Sequence, residues 1–174
     1  MAMGPTRDLG PAMLEFDGTE IGETFGGARF RSGTEVAPVH EDRYGNTPVD
    51  NIFIGDTAEV EVNLTRLTLA QLAAVLPGAS GSGTVGNQMV VRNSVGKSCY
   101  ENARTLVVKP IVEGVVSTDS TEWLTLFKAY PQPDMEVVWD VTTQRVYKVT
   151  FMAYRVQADE TGAKEGWLWK IGSA

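Results

Sequence analysis

Between Ala58 and Leu64 apolar and polar residues alternate strictly, as Ala58-Glu59-Val60-Glu61-Val62-Asn63-Leu64. Successive side chains of a strand point to opposite faces. The pattern therefore predicts a half-buried strand, with Val60 and Val62 toward a core and Glu59 and Glu61 on an acidic outer face. A longer β signal runs from Gln144 to Gln157, where Val146, Tyr147, Val149, Phe151, Tyr154 and Val156 supply the β-branched and aromatic side chains favoured on a pleated surface. Shorter strands are predicted at Ala12–Phe16, Gly27–Ser32, Ile52–Ile54, Gln88–Arg92, Arg104–Val108, Leu124–Ala129, Met135–Trp139 and Trp167–Ile171. A single helix is predicted from Leu69 to Leu76. Thr68 and Gln71 have capping-box spacing, Leu69, Leu72, Ala73 and Leu76 form an apolar stripe, and Pro77-Gly78 ends the run. The expected fold is mainly β: an antiparallel sandwich or barrel-like subunit with one short α-helix covering an open side.

Two segments break the pattern. From Thr34 to Thr57 the chain places Pro38, Gly45, Pro48 and Gly55 among many charges, which suits an extended, hairpin-like arm better than core strand throughout. Within it Val36, Val39, Val49, Ile52 and Phe53 are apolar groups that would gain from burial against a neighbour. Residues 79–87 are rich in Gly and Ser and read as a flexible loop. At 174 residues the chain is expected to be one domain, 1–174, able to bury a core without disulfides or metal. No apolar run approaches the roughly 18 residues of a membrane span. Met1–Pro11 offers no apolar core for a signal peptide, so secretion by that route is not expected. The one cysteine, Cys99, permits no internal disulfide, suits a reducing compartment and is expected to be a buried or semi-buried thiol.

Charge narrows the function classes. The net charge is −7, and up to Leu64 twelve acids face four bases, so that segment carries −8 and the remainder +1. Nonspecific nucleic-acid affinity comes mainly from Lys and Arg releasing counterions, so this chain is a poor candidate for gripping phosphates. A duplex remains possible as passing cargo. His40 is the only histidine, and a nucleophilic pair with Cys99 would need two isolated residues to meet. Gly81-Ser82-Gly83-Thr84-Val85-Gly86 matches the dinucleotide pattern G-x-G-x-x-G. That pattern works where a strand feeds the turn and a helix follows, whereas here a helix precedes and a strand follows, so a flexible glycine loop is the better reading. Paired carboxylates such as Glu59 and Glu61 can do acid–base work, but such a face is more often simply solvated. Trp123, Trp139, Trp167 and Trp169 are expected to pack in the core or at interfaces. No catalytic, cofactor-binding or metal-binding residue is predicted, and the chain reads as a non-enzyme.

Three segments carry a resemblance: Arg7-Asp8-Leu9-Gly10-Pro11, the run from Ile21-Gly22-Glu23-Thr24-Phe25-Gly26-Gly27 to Ala28-Arg29-Phe30, and Asp42-Arg43-Tyr44-Gly45-Asn46-Thr47-Pro48-Val49-Asp50. In order and spacing they resemble tail tube proteins of tailed bacteriophages. Leu126-Phe127-Lys128-Ala129-Tyr130-Pro131 and Arg145 through Tyr154 look like the closing strands of the same family. The stretch from Ala79 to Asn102 departs from it.

The resemblance implies a structural virion protein in which hexameric rings stack into a tail tube, the conduit for DNA into a bacterial host. Its partners would be further copies of itself, the tail initiator or baseplate and terminator proteins, a sheath where the tail is contractile, and double-stranded DNA as transient cargo. It implies assembly in the host cytoplasm and a final place in the virion tail, with no membrane and no cofactor. Four strands from each of six subunits would close an inner barrel. Roughly 24 strands at about 4.8 Å spacing and about 40° tilt give a backbone diameter of about 48 Å and a bore of about 38 Å, wide enough for a duplex. In this frame Glu59 and Glu61 are expected to line the lumen and repel phosphate, and the arm 34–57, through Val36, Val39, Val49, Ile52 and Phe53, to join successive rings. Two alternatives stand beside it: a tube subunit of a contractile secretion apparatus, and a small β-barrel module that binds a sugar or peptide.

Overall fold

The computed structural model describes residues 11–80, 88–93, 95–135, 142, 144–157 and 164–173. Arg7–Gly10, the Gly81–Gly86 run, Trp139 and all but Met135 of the Met135–Trp139 strand lie outside the described residues.

Among the described residues the chain is mainly β with one short helix. In order come β1 (Ala12–Phe16), β2 (Thr19–Glu20), β3 (Glu23–His40), β4 (Pro48–Thr65), α1 (Leu69–Val75), β5 (Ala79–Ser80), β6 (Val90–Val91), β7 (Arg104–Val112), β8 (Val115–Val116), β9 (Leu124–Asp134), β10 (Tyr147–Ala153) and β11 (Trp169–Ile171). One antiparallel sheet takes nine of these strands in the path β2-β1-β7-β9-β10-β4-β3, with β11 on β9 and β8 on β7, and β5 pairs with β6 apart from it. The architecture is thus one open sheet rather than two facing ones. It curls: Thr24 Oγ1 on β3 donates to the Ala12 carbonyl on β1 at 3.3 Å. Trp169 on β11 also packs edge-on against Phe30 of β3, with ring centroids 5.1 Å apart.

The concave face of the curl holds the core. Val60, Val62 and Leu64 of β4 meet Leu14 and Phe16 of β1, Leu106 of β7, Leu126 and Ala129 of β9, Val149 and Phe151 of β10, and Val75 of α1. Phe16 and Phe151 lie with ring centroids 5.4 Å apart. Truncating a buried aromatic of this kind costs about 3–5 kcal/mol, so Phe151 anchors the sheet where β4, β9 and β10 run together.

The helix forms as its cap predicts. Thr68 Oγ1 accepts from Gln71 N at 3.3 Å, and Gln71 Oε1 accepts from Thr68 N at 2.9 Å. Its buried residue is Val75, while Leu69 is exposed, so the helix seats one turn later than the Leu69-Leu72-Ala73-Leu76 stripe suggests. The Gln144–Gln157 strand is shortened to β10, because its partners run out: Tyr147 reaches Leu64 near the end of β4, and Lys148 reaches Asp134 at the end of β9. The Gln88–Arg92 strand is reduced to Val90–Val91.

Candidate functional site

The Gly27–Ser32, Ile52–Ile54 and Ala58–Leu64 strands belong to two continuous strands of 18 residues each, β3 and β4. Their roots are in the body and their outer halves leave it. From Gly33 and Thr57 outward the two strands pair only with each other, down to His40 opposite Pro48. At about 3.4 Å per residue this projection is about 25 Å long. A 3₁₀ turn, Asp42–Tyr44, closes the tip, with Tyr44 N donating to the Glu41 carbonyl at 2.9 Å. Both prolines sit where a strand tolerates a missing donor: Pro38 on an edge strand and Pro48 as the first residue of β4. The arm expected at 34–57 is therefore an ordered hairpin.

Its register arranges the apolar side chains on both faces. Thr34 pairs with Asp56 and Glu35 with Gly55, but Val36 pairs with Phe53, leaving Ile54 as the extra residue of a bulge. Directly opposed residues share a face, so Val36 and Phe53 form one apolar spot, while Ile52, opposite Ala37 and next to Val39, forms another on the reverse side. Val49 is skipped at a second register shift between Val39 and His40. Val36, Val49, Ile52 and Phe53 are exposed and Val39 is half-buried. The sequence reading missed Ile54 and Tyr44, which are exposed at 61% and 53%. The signal for Ile54 was the unbroken run Ile52-Phe53-Ile54, which no alternating strand can bury on one face.

At the root of the arm, β3 forms a wide irregularity. Thr24 pairs with Leu64 and Ala28 with Val62, so three residues of β3 stand against Asn63 alone. Gly26 and Gly27 take φ of 79° and 81° there, a region costly for other residues, and Phe25 is turned out to solvent. The outer edge of β3 is the open end of the sheet path.

Glu59 and Glu61 do lie opposite Val60 and Val62, which are buried. The sheet face they occupy is not net acidic. Arg31 stands across from Glu59 with Nη1 3.2 Å from Oε1, Arg29 stands across from Glu61, and Lys148 Nζ is 2.9 Å from Glu61 Oε1. Asp134 pairs with Lys148 on the same face. Three acids meet three bases, so neighbouring strands offset the charge that β4 alone displays. The Lys148 hydrogen bond and charge, helped by Arg31 and Arg29, hold the Glu61 carboxyl below the ordinary glutamate range.

A small cavity of about 190 Å³ opens between the end of α1 and β9, lined by Phe16, Leu76, Pro77 and Pro131 with Lys97, Asn102 and Tyr130. Cys99 beside it is exposed, which corrects the expectation of a buried or semi-buried thiol: it sits in a turn that no strand covers. Burial first, and the Cys99 thiol second, raise the Tyr130 and Tyr154 hydroxyls above the ordinary phenol range. His40 lies far out on the arm, away from this turn, and is exposed. Trp123 donates from Nε1 to the Ser117 carbonyl at 3.0 Å beneath the Lys109 ammonium, which also pairs with Glu15. Trp167 and Trp169 sit at the surface, edge-on to Phe127 and Phe30. Around the glycine-rich run a strand, β5, enters and a strand, β6, leaves, rather than a helix. Among the described residues no three His, Cys, Asp or Glu gather as a metal-binding set, and no helix is long and apolar enough to cross a membrane. No protein-family model matches the sequence, and no curated protein matches it.

Proposed function

We propose that this chain is the major tail tube subunit of a tailed bacteriophage, a non-enzymatic protein whose hexameric rings stack into the conduit for DNA. The observation that carries the reading is the β3–β4 hairpin. It extends about 25 Å past the core with Val36, Val49, Ile52, Phe53 and Ile54 exposed, and a two-stranded hairpin alone is marginally stable in water. An arm so built gains stability when a neighbouring copy covers it.

Two further features support it. The open outer edge of β3 offers backbone groups for strand pairing with an adjacent subunit. The strands β9, β10, β4 and β3 are also four neighbours in one sheet, the number each subunit would give to an inner barrel, and their outer face carries Glu59, Glu61, Arg29, Arg31, Thr150 and Lys148 alongside Met152 and Tyr130. In that barrel Glu59 and Glu61 line the lumen together with Arg29, Arg31 and Lys148, giving a charge-balanced wall that neither binds nor strongly repels a passing duplex. Val36, Val39, Val49, Ile52 and Phe53 carry the contact between rings. Initiator and terminator proteins bound the tube, and the subunit's final place is the virion tail. A tube subunit of a contractile secretion apparatus would share these features; an associated sheath and its cargo separate the two. This cavity is well below the roughly 300 Å³ at which small-ligand sites begin, so it is not itself a sugar site.

Negative-stain imaging of concentrated protein with an assembly initiator present tests the reading. Tubes of stacked rings are expected. A population that stays monomeric by imaging and cross-linking overturns it.

A further inference from the structure

The tip of the arm and the cavity are matched in size, and the tip carries two carboxylates where the cavity lining carries one ammonium. Tyr44 lies in the closing turn, exposed, at the far end of a projection about 25 Å long. It therefore has no core of its own to enter. The cavity is lined by the apolar residues Phe16, Leu76, Pro77 and Pro131 together with Lys97, Asn102 and Tyr130. An apolar cavity of about 150 Å³ suffices for a benzene ring, so about 190 Å³ admits one phenol. It is too small for a cofactor or a sugar chain, yet well matched to a single aromatic side chain.

Charge favours the same pairing. Residues 34–57 carry Glu35, Glu41, Asp42, Asp50 and Asp56 against Arg43 alone, a net −4. Of the residues that line the cavity, Lys97 is the one with a charged side chain, and the exposed Glu101 adjoins Asn102. Glu41 and Asp42 stand three and two residues before Tyr44, Arg43 lies over the Tyr44 ring at 5.8 Å from its centroid, and Lys97 is among the residues that line the cavity. Val90, Val91 and Val95, all exposed in the stretch before Lys97, add apolar surface for the shaft of an arriving arm.

We propose that the arm tip of one copy docks in this cavity of a neighbouring copy, with the Tyr44 ring inside and the Glu41–Asp42 carboxylates against Lys97. The inference rests on the tube reading and names the receptor for its arm. It also gives a role to Lys97 and Asn102, which lie where the family resemblance lapses: they help form the socket for the arm.

Cys99 supplies a native reporter. It is exposed and two residues from Lys97 of the cavity lining. In an Asn46→Cys variant the tip also carries a thiol. Diamide, which takes up the two electrons and two protons, should join the introduced tip thiol of one copy to Cys99 of the next in assembled protein. Nonreducing gels should then show a ladder of linked chains that Cys99→Ser abolishes. Tubes that form without a Cys99-dependent ladder overturn the socket and leave the tube reading intact. Absence of any assembly overturns the tube reading and the socket with it. A second measurement does not depend on cross-linking: Tyr44→Ala should slow tube extension at least about tenfold, as truncating an interface anchor does, while Tyr44→Phe stays near the parent rate. Asp42→Lys should slow extension and a matching Lys97→Glu in the same chain should restore it, and failure of that rescue counts against the pairing.

Discussion

Val36 stands directly opposite Phe53 across the β3–β4 ladder, with the two side chains 52% and 58% exposed. A register shift puts them there, for without the bulge at Ile54 the residue facing Val36 would be Ile54 itself. The pair forms a cross-strand apolar spot that no other described residue of the chain covers. Changing both to serine should alter subunit stability little, within about 0.5 kcal/mol per site, because neither is buried. Assembly should nevertheless be lost. Thermal unfolding of the subunit and imaging of concentrated protein together check this, and normal tubes from the double variant would remove the pair from the ring contact.

Deleting Val39 to Val49 should leave the body folded, since the core residues lie at Ala58 and beyond on β4 and the arm contributes none of them. On the proposed tube reading, the truncated chain should not extend a tube. In the intact protein, arm amides should exchange faster than those of β4 near Val60 before assembly, because only one neighbour strand protects them, and become strongly protected in tubes. Equal protection in both states would refute the docking role.

Glu61 should titrate below the usual glutamate range because Lys148 hydrogen-bonds and attracts its charged form. A depressed folded-state pKa means the pairing stabilises the fold above the unfolded glutamate value, and that this contribution fades as pH falls through the folded value. Lys148→Met should raise the Glu61 pKa and flatten this acid dependence. Side-chain carboxyl NMR titration reads it directly; an unchanged Glu61 in the variant would show that the contact is not made in solution.

Replacing Glu59 and Glu61 by lysine would leave Asp134 as the one acid beside Arg29, Arg31, Lys148 and the two new bases. If this face lines the bore, each ring becomes a phosphate-binding collar, and DNA ejection should slow in a salt-dependent way. Ejection kinetics equal to the parent's at low salt would take these glutamates off the lumen.

Gly22→Ala should destabilise the body by about 1–3 kcal/mol, from left-handed backbone and crowding combined. Gly22 has φ of 55°, and an added Cβ would meet Leu67 Cδ2 at 2.5 Å and the Thr65 carbonyl at 3.1 Å. For a chain of this size a loss of 1 kcal/mol lowers the melting temperature by roughly 2–4 °C. A melting point unchanged within a degree would mean that the β2–β3 turn relaxes freely.

Much of the local structure could be read from sequence because local chemistry decides it. The alternation at Ala58–Leu64 placed Val60 and Val62 inward and Glu59 and Glu61 outward, since a strand has no other way to arrange successive side chains. Thr68 and Gln71 capped α1 because both partners lie within one turn of each other. Pro38, Pro48 and the unburied aliphatics between them marked the arm. Other features depended on residues far apart in the chain. Arg29, Arg31 and Lys148 offset the acidic face only because β3 and β10 flank β4, a neighbourhood that links position 61 to 148. The bulge that pairs Val36 with Phe53 is a matter of register, and register follows from the whole ladder rather than from either strand. The cavity is likewise tertiary: Phe16, Leu76, Lys97 and Tyr130 come from four separate parts of the chain, and only the curl of the sheet brings them around one space.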